Sequence, residues 1–313
     1  MNPSTPGEDI GKQAGENPKT SRVMLILWLG ILSASISPVF VRYSTCPPLV
    51  LAAYRKTIVT LMLLPVVLGK KEFRQELLSL KRPTVLWCLL SGVFLALHFW
   101  TYFMAAANTT IAAAQVLTGM EVIVVALIMF LTGKERYKTQ GKIGILVAVA
   151  GMILVAYTRG GFGSGSTMFG NICGLIAAVM IAGYTVIGTG VRAGVSNTVY
   201  TFVVYGTSAL VLEVMTAVSP YSFTGYGKIN YLLGFLQAVF CSLLGHSIYN
   251  WALKYLGATL VSMCRIFQPV FVAMWGLLLL SETPAWNQVI GGAIVIFGIF
   301  LYIRSKQTAE TRS

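Results

Sequence analysis

Four side chains able to carry or exchange a charge lie inside runs apolar enough to cross a bilayer: His98, Glu121, His246 and Arg265. A polar group at that depth is costly unless it meets a cavity or a partner, so each is a functional candidate. Glu121 suits an ammonium or a proton. Arg265 offers a planar fork for a carboxylate or phosphate, and imidazoles are the usual proton carriers near neutral pH. Residues three and four apart share a helix face, which groups His98 with Thr101 and Tyr102, and His246 with Ser242, Tyr249 and Asn250. The same rule groups Glu121 with Thr118 and nearby Gln115, and Arg265 with Ser262 and Gln268. With Trp100 added for its aromatic surface, the expected substrate-binding set is His98, Trp100, Tyr102, Gln115, Thr118, Glu121, His246, Tyr249, Asn250, Arg265 and Gln268. Glu121, His98 and His246 are the proton-coupling candidates. Structural roles compete at each: hydrogen bonds between helices for the histidines, pairing with a basic side chain for Glu121, and a salt bridge to a carboxylate for Arg265. Arg55, Lys56 and Glu213 fall nearer the outer surface and are expected to snorkel or to pair across helices.

The elements that position these residues are membrane helices. The 313 residues are 56% hydrophobic and 11% charged, with a mean hydropathy of +0.75, whereas a soluble domain carries about a quarter charged residues. Ten apolar runs of spanning length are found at about 23–43, 48–68, 84–107, 109–131, 142–158, 169–190, 198–219, 231–253, 257–280 and 287–303. Each is continuously apolar rather than alternating, which excludes barrel strands. An even number puts both termini on one side. Lys and Arg gather in the tails and the even-numbered loops, such as Lys70–Arg82 and Lys134–Lys142, with only Arg42, Arg159 and Lys228 in odd-numbered loops. The termini are therefore expected in the cytoplasm and the chain in the cell membrane. The net charge of +13 is assigned to this orientation and to contact with anionic lipid, with no nucleic-acid partner. Cys46, Cys88, Cys173, Cys241 and Cys264 show no paired spacing, so neither a metal nor a disulfide framework is expected. There is no H-E-x-x-H, no G-x-S-x-G and no phosphate-binding loop, so the chain reads as neither an enzyme nor a cofactor binder.

Sliding the second half over the first by 148 residues places His98 on His246, Gln140 on Gln288 and Gly144 on Gly292. Glu135 and Glu282 also correspond, one residue out of register. The expected division is a disordered cytoplasmic tail at 1–21, a first repeat at 22–158, a Gly/Ser linker at 159–168, a second repeat at 169–304 and a cytoplasmic tail at 305–313. Five spans per repeat is odd, so the second copy enters from the opposite face. Two inverted five-helix halves then rock around a midplane site.

The stretches "PPLVLAAYRK", "LALHFWTYFMAAANTT", "LLGHSIYNWALKYLGATLVSMCRIFQPVFVAMWGLLLLSE" and "WNQVIGGAIVIFGIFLYIR" together resemble the EamA-type branch of the drug/metabolite transporter superfamily, over nearly the whole chain after the tail. The resemblance implies a ten-helix carrier of small metabolites or drugs, usually an exporter. One departure is Glu121, standing where such proteins typically have a proline matching Pro269. The leading expectation is a secondary transporter of an amino acid or related polar metabolite, with Glu121 facing its ammonium and Arg265 its carboxylate. The alternatives are an organic-anion carrier of the sugar-phosphate or nucleotide-sugar kind, a cationic-drug carrier, and a passive channel. Expected partners are the substrate, lipid and a coupling proton, with the chain acting as a monomer or homodimer.

Overall fold

The computed structural model describes residues 20–108, 111–156, 168–280 and 286–310. Tail residues 1–19 and 311–313, the linker before Met168, and Glu282 lie outside these described residues. Within them every regular element is helical, as continuous apolar runs require in lipid, where a helix satisfies its own backbone. In chain order these are α1 (Thr20–Ala34), α2 (Ser37–Tyr43), α3 (Pro48–Gly69), α4 (Lys71–Ser79), α5 (Arg82–Asn108), α6 (Ile111–Gly119), α7 (Glu121–Leu131) and α8 (Thr139–Ala156). There follow α9 (Met168–Arg192), α10 (Asn197–Ala217), α11 (Lys228–Leu236), a π-helical segment (Gln237–His246), α12 (Ser247–Leu256), α13 (Ala258–Arg265), α14 (Gln268–Leu280) and α15 (Trp286–Glu310). Among the described residues, seven helical stretches are long and apolar enough to cross a membrane, and three shorter apolar ones lie at Leu117–Leu131, Thr139–Leu154 and Val289–Ser305.

Local chemistry sets the boundaries. Pro48 opens α3, where a missing N–H costs nothing, and Ser196 caps α10 by accepting from the Val199 N–H. Gly257, at φ +75°, joins α12 to α13 in one residue, a backbone conformation that favours glycine. Interruptions fall between α1 and α2, α6 and α7, and α13 and α14. Pro38 and Pro269 each sit at the second position of the helix that resumes, the place a proline tolerates, whereas Pro65 lies inside α3 without interrupting it. At the first interruption the Trp275 indole N–H lies 3.2 Å from the Leu32 carbonyl and 3.0 Å from Ser35 Oγ.

Small residues decide the closest helix contact. A Cβ added to Gly144 would meet the Gly298 carbonyl and the Tyr302 N at 2.8 Å, and one added to Gly151 would meet the Val295 N at 2.7 Å. The α8 and α15 backbones therefore touch, the packing that substitutes for a hydrophobic drive in lipid. Elsewhere α5 packs on α9, α3 on α10, and α1 on the π-helical segment and α12.

The two largest hydrophobic clusters do not follow the halves of the chain. One joins Leu27, Val122, Met152, Leu253, Cys264 and Val295, from α1, α7, α8, α12, α13 and α15. The other joins Val59, Leu95, Tyr184 and Tyr205, from α3, α5, α9 and α10. Each of these clusters is built by both halves of the chain.

At one end of the bundle, Asn230 ties the α2–α3 connection to α11. Its Oδ1 accepts from the Thr45 N–H at 2.9 Å, the Cys46 N–H at 3.2 Å and the Ser44 hydroxyl at 2.9 Å, while its Nδ2 donates to Thr45 Oγ1 at 2.9 Å. Asn230 is fully buried, so Asn230→Ala is expected to destabilise the protein by about 2 kcal/mol, the cost of stranding buried donors. Thermal melting in detergent checks this, and an unchanged midpoint refutes it.

Candidate functional site

The interrupted helices carry the ionic residues at their broken ends. Glu121 is the first residue of α7 and Arg265 the last of α13, so an anion lies at a helix N-terminus and a cation at a C-terminus, both favoured by the helix dipole. The two meet: Arg265 Nη1 donates to Glu121 Oε2 at 3.0 Å and lies 2.9 Å from Oε1. The side chains are 10% and 4% exposed, so this is a buried pair. Arg265 Cζ also stands 5.0 Å from the centroid of the Tyr249 ring. Buried beside the pair, Thr118 Oγ1, Ser262 Oγ and Arg265 Nε make no hydrogen bond among the described residues.

Two adjoining cavities run along these residues. One, of about 30 Å³, is lined by Glu121, Ser262, Met152 and Pro269 together with Gln115, Thr118, Arg265 and Gln268. The other, of about 50 Å³, shares Gln115, Thr118, Arg265 and Gln268 and adds Ser37, Arg55, His98, Phe99, Tyr102 and His246. The two linings together draw on α1, α2, α3, α5, α6, α7, α8, α13, α14 and the π-helical segment. Gln115 Nε2 donates to the Tyr102 hydroxyl at 2.8 Å. His98 Nδ1 lies 3.1 Å from the Ala177 carbonyl. A carbonyl can only accept, so Nδ1 carries the hydrogen and Nε2 is the free edge. The two histidines matched by the repeat flank one ring: Phe99 lies 5.1 Å from His98 and 5.4 Å from His246.

Of the expected residues, His98, Tyr102, Gln115, Thr118, His246, Arg265 and Gln268 line the larger cavity, and Glu121 the smaller. Three lie elsewhere. Tyr249 stacks under Arg265 and donates to the Gly30 carbonyl at 3.3 Å. Asn250 is buried in the packing, where its Oδ1 accepts from Tyr184 at 2.7 Å and its carbonyl from Arg192 at 3.0 Å. Trp100 is 37% exposed and lines neither cavity. It follows His98 by two residues, a turn of about 200° that points it to the opposite face.

Arg55 and Lys56 correct the sequence reading. Both are buried, at 2% and 0% exposed, and neither snorkels. Arg55 donates to Ser242 Oγ at 2.8 Å and to Gln237 Oε1 at 3.4 Å. Its Cζ lies 4.4 Å from the Phe99 centroid. Lys56 Nζ has no hydrogen-bond partner among the described residues and lies 4.5 Å and 4.1 Å from the Phe99 and Tyr205 centroids. The expected pairing with Glu213 is not made: Glu213 instead accepts from Thr57 on α3.

At the end opposite Asn230, the Tyr137 hydroxyl donates to Glu135 Oε2 at 3.0 Å and contacts Thr259 Oγ1 at 2.8 Å, joining the α7–α8 connection to α13. Burial raises the Tyr137 phenol above its ordinary range, so it keeps its proton and its donor role at neutral pH. On the same end, Glu76 Oε1 accepts from the Ser196 N–H at 2.6 Å.

Comparison with known proteins gives a consistent picture. Residues 21–157 and 168–304 each match the model of the EamA-like transporter family. The pseudopaline exporter CntI of Pseudomonas aeruginosa is 28% identical over 84% of this chain and 89% of its own. An uncharacterized transporter of Archaeoglobus fulgidus is 26% identical over 68% of this chain and 73% of its own. A solved crystal structure aligns over 92% of this chain and 99% of that one, with a TM-score of 0.74 at 19% identity, a likeness of fold.

Proposed function

Since the chain belongs to the EamA-like transporter family and is a multi-pass membrane transporter, we propose that it moves a small polar metabolite, an amino acid or related compound, by alternating access around the paired cavities. The observation that carries this reading is the Glu121–Arg265 pair at two interrupted helix ends, opening onto polar residues from both repeats. A zwitterion can exchange with that pair, its ammonium on Glu121 and its carboxylate on Arg265, so that no buried charge is left bare. Broken helices facing a midplane site are how secondary transporters expose polar backbone without exposing it to lipid. The reading includes ten spans in two inverted repeats, a place in the cell membrane and cytoplasmic termini. It takes outward movement as its direction, the one named for the Pseudomonas relative.

Cavities of about 30 and 50 Å³ hold one or two waters, since a water occupies about 30 Å³, whereas metabolite sites measure about 300–1,000 Å³. Helices must therefore part to admit a substrate. The hydrogen bonds at the two ends, Asn230 with Thr45 and Tyr137 with Thr259, are the contacts that would break in turn. Glu121, His98 and His246 are the candidates for carrying a coupling proton.

The test is counterflow in proteoliposomes loaded with unlabelled amino acids and given a labelled one outside. Transient accumulation is expected, and an imposed pH gradient should change its rate if a proton is coupled. Ohmic conductance without accumulation would mark a passive channel, and failure of every amino acid would refute that substrate class.

A further inference from the structure

The charges around the larger cavity do not balance. Arg55 and Arg265 both line it, and Lys56 Nζ lies over the same Phe99 ring as Arg55. Against these basic groups the nearby carboxylate is Glu121, already engaged by Arg265. Arg55 spends its donors on Ser242 and Gln237, which are neutral, and Lys56 Nζ meets only the faces of Phe99 and Tyr205. Among the described residues no carboxylate lies in ion-pair reach of either. Ring faces recover only part of what the buried Arg55 guanidinium loses on leaving water. Such an arrangement is unfavourable on its own, and an anion entering the cavity relieves it.

We propose that the cavity between Arg55 and Arg265 is an oxyanion subsite, and that the transported metabolite therefore carries net negative charge. The inference rests on the transporter reading and narrows its substrate class to organic acids, acidic amino acids among them. The Arg55 fork takes a carboxylate or phosphate directly. Lys56, over the same ring and outside the cavity lining, adds to the positive potential when it carries a proton. Arg265, drawn toward the same anion, loosens its hold on Glu121, so substrate binding and opening of the Glu121–Arg265 pair become one event. Gln115, Tyr102 and the His98 Nε2 edge supply neutral hydrogen bonds around it.

The experiment measures ligand-induced thermal stabilisation of the full-length protein in detergent with four probes: glutarate, glycerol 3-phosphate, serine and putrescine. Counterflow of the same compounds runs in parallel. Stabilisation by glutarate, glycerol 3-phosphate or both is expected, the two arms telling carboxylate from phosphate, and none by putrescine. Arg55→Gln should weaken the binding at least about tenfold, the loss of one charge-assisted contact. Lys56→Met keeps the length of the side chain and its contact with the rings, so it should raise the melting midpoint while weakening anion binding. Stabilisation by serine or putrescine but not by either anion overturns the subsite and leaves the transporter reading standing, and so does stabilisation by no probe. Anion binding undiminished in both variants overturns it too. Anion stabilisation without counterflow of any compound would keep the subsite and defeat the carrier reading instead.

Discussion

Arg265→Ala is expected to destabilise the folded protein by about 3–5 kcal/mol, the cost of leaving a buried carboxylate without its partner, and to abolish counterflow. The size follows from the geometry. Glu121 is 4% exposed on its side chain, and its one ion-pair partner among the described residues is Arg265. What remains to it is the N-terminus of α7, worth about 0.3–2 kcal/mol. The double replacement Glu121→Gln with Arg265→Met removes both charges, so most of the melting loss should be recovered. Transport should not be recovered, because the proposed exchange of partners needs both charges. A double variant that transports at the original rate would show the pair to be structural alone. An unaltered melting midpoint in Arg265→Ala would show the carboxylate to be satisfied by other means.

Gly298→Leu should leave no folded protein, and Gly298→Ala should lower the melting midpoint by an amount equivalent to at least about 2 kcal/mol. A Cβ at residue 298 would overlap the backbone N of Ala148 and lie 2.8 Å from its Cα and Cβ. Backbone atoms of a packed helix cannot rotate away as a side chain can, so α15 must separate from α8. Overpacking of one carbon costs about 1–3 kcal/mol in a close-packed interior, and loss of the whole contact costs more. Gly69, whose added Cβ would meet nothing within 4 Å, supplies the comparison: Gly69→Ala should melt as the parent does. If Gly298→Leu folds normally, the helices do not meet at this point.

Much of the architecture was legible because lipid is a demanding solvent. Continuous apolar runs have one solution there, and the doubled pattern of His98 with His246 was enough to divide the chain in two. The clustering of His98, Gln115, Thr118, Arg265 and Gln268 was also legible, since polar atoms with nowhere else to go converge. Other placements depended on helix rotation, which hydropathy does not specify. Arg55 and Lys56 were read by depth, and depth alone could not tell that α3 turns both inward onto Phe99. Ser242 and His246 share a face as their spacing of four implies, although the segment between them is π-helical. Its wider turn rotates successive residues less, and Ser242 faces Arg55. Trp100, two residues from His98, falls on the far side of the helix and lines neither cavity. Pairing of Glu121 with Arg265 required knowing that α7 starts, and α13 ends, at those residues.

The same two cations bear on how the protein is made. Arg and Lys inside a span cost up to about 2.5–3.5 kcal/mol each at insertion, so α3 must enter the bilayer against an opposing term. The acceptors that later hold Arg55, Gln237 and Ser242, lie 182 and 187 residues downstream. At about 5–20 residues per second, the ribosome needs roughly 10–40 s to reach them. For that interval α3 is held in place by its own apolar residues and by whichever helices are already at hand. The order of synthesis thus delivers the charged helix early and its neutral partners late, which makes that waiting period the stage of biogenesis where this chain is most exposed to quality control.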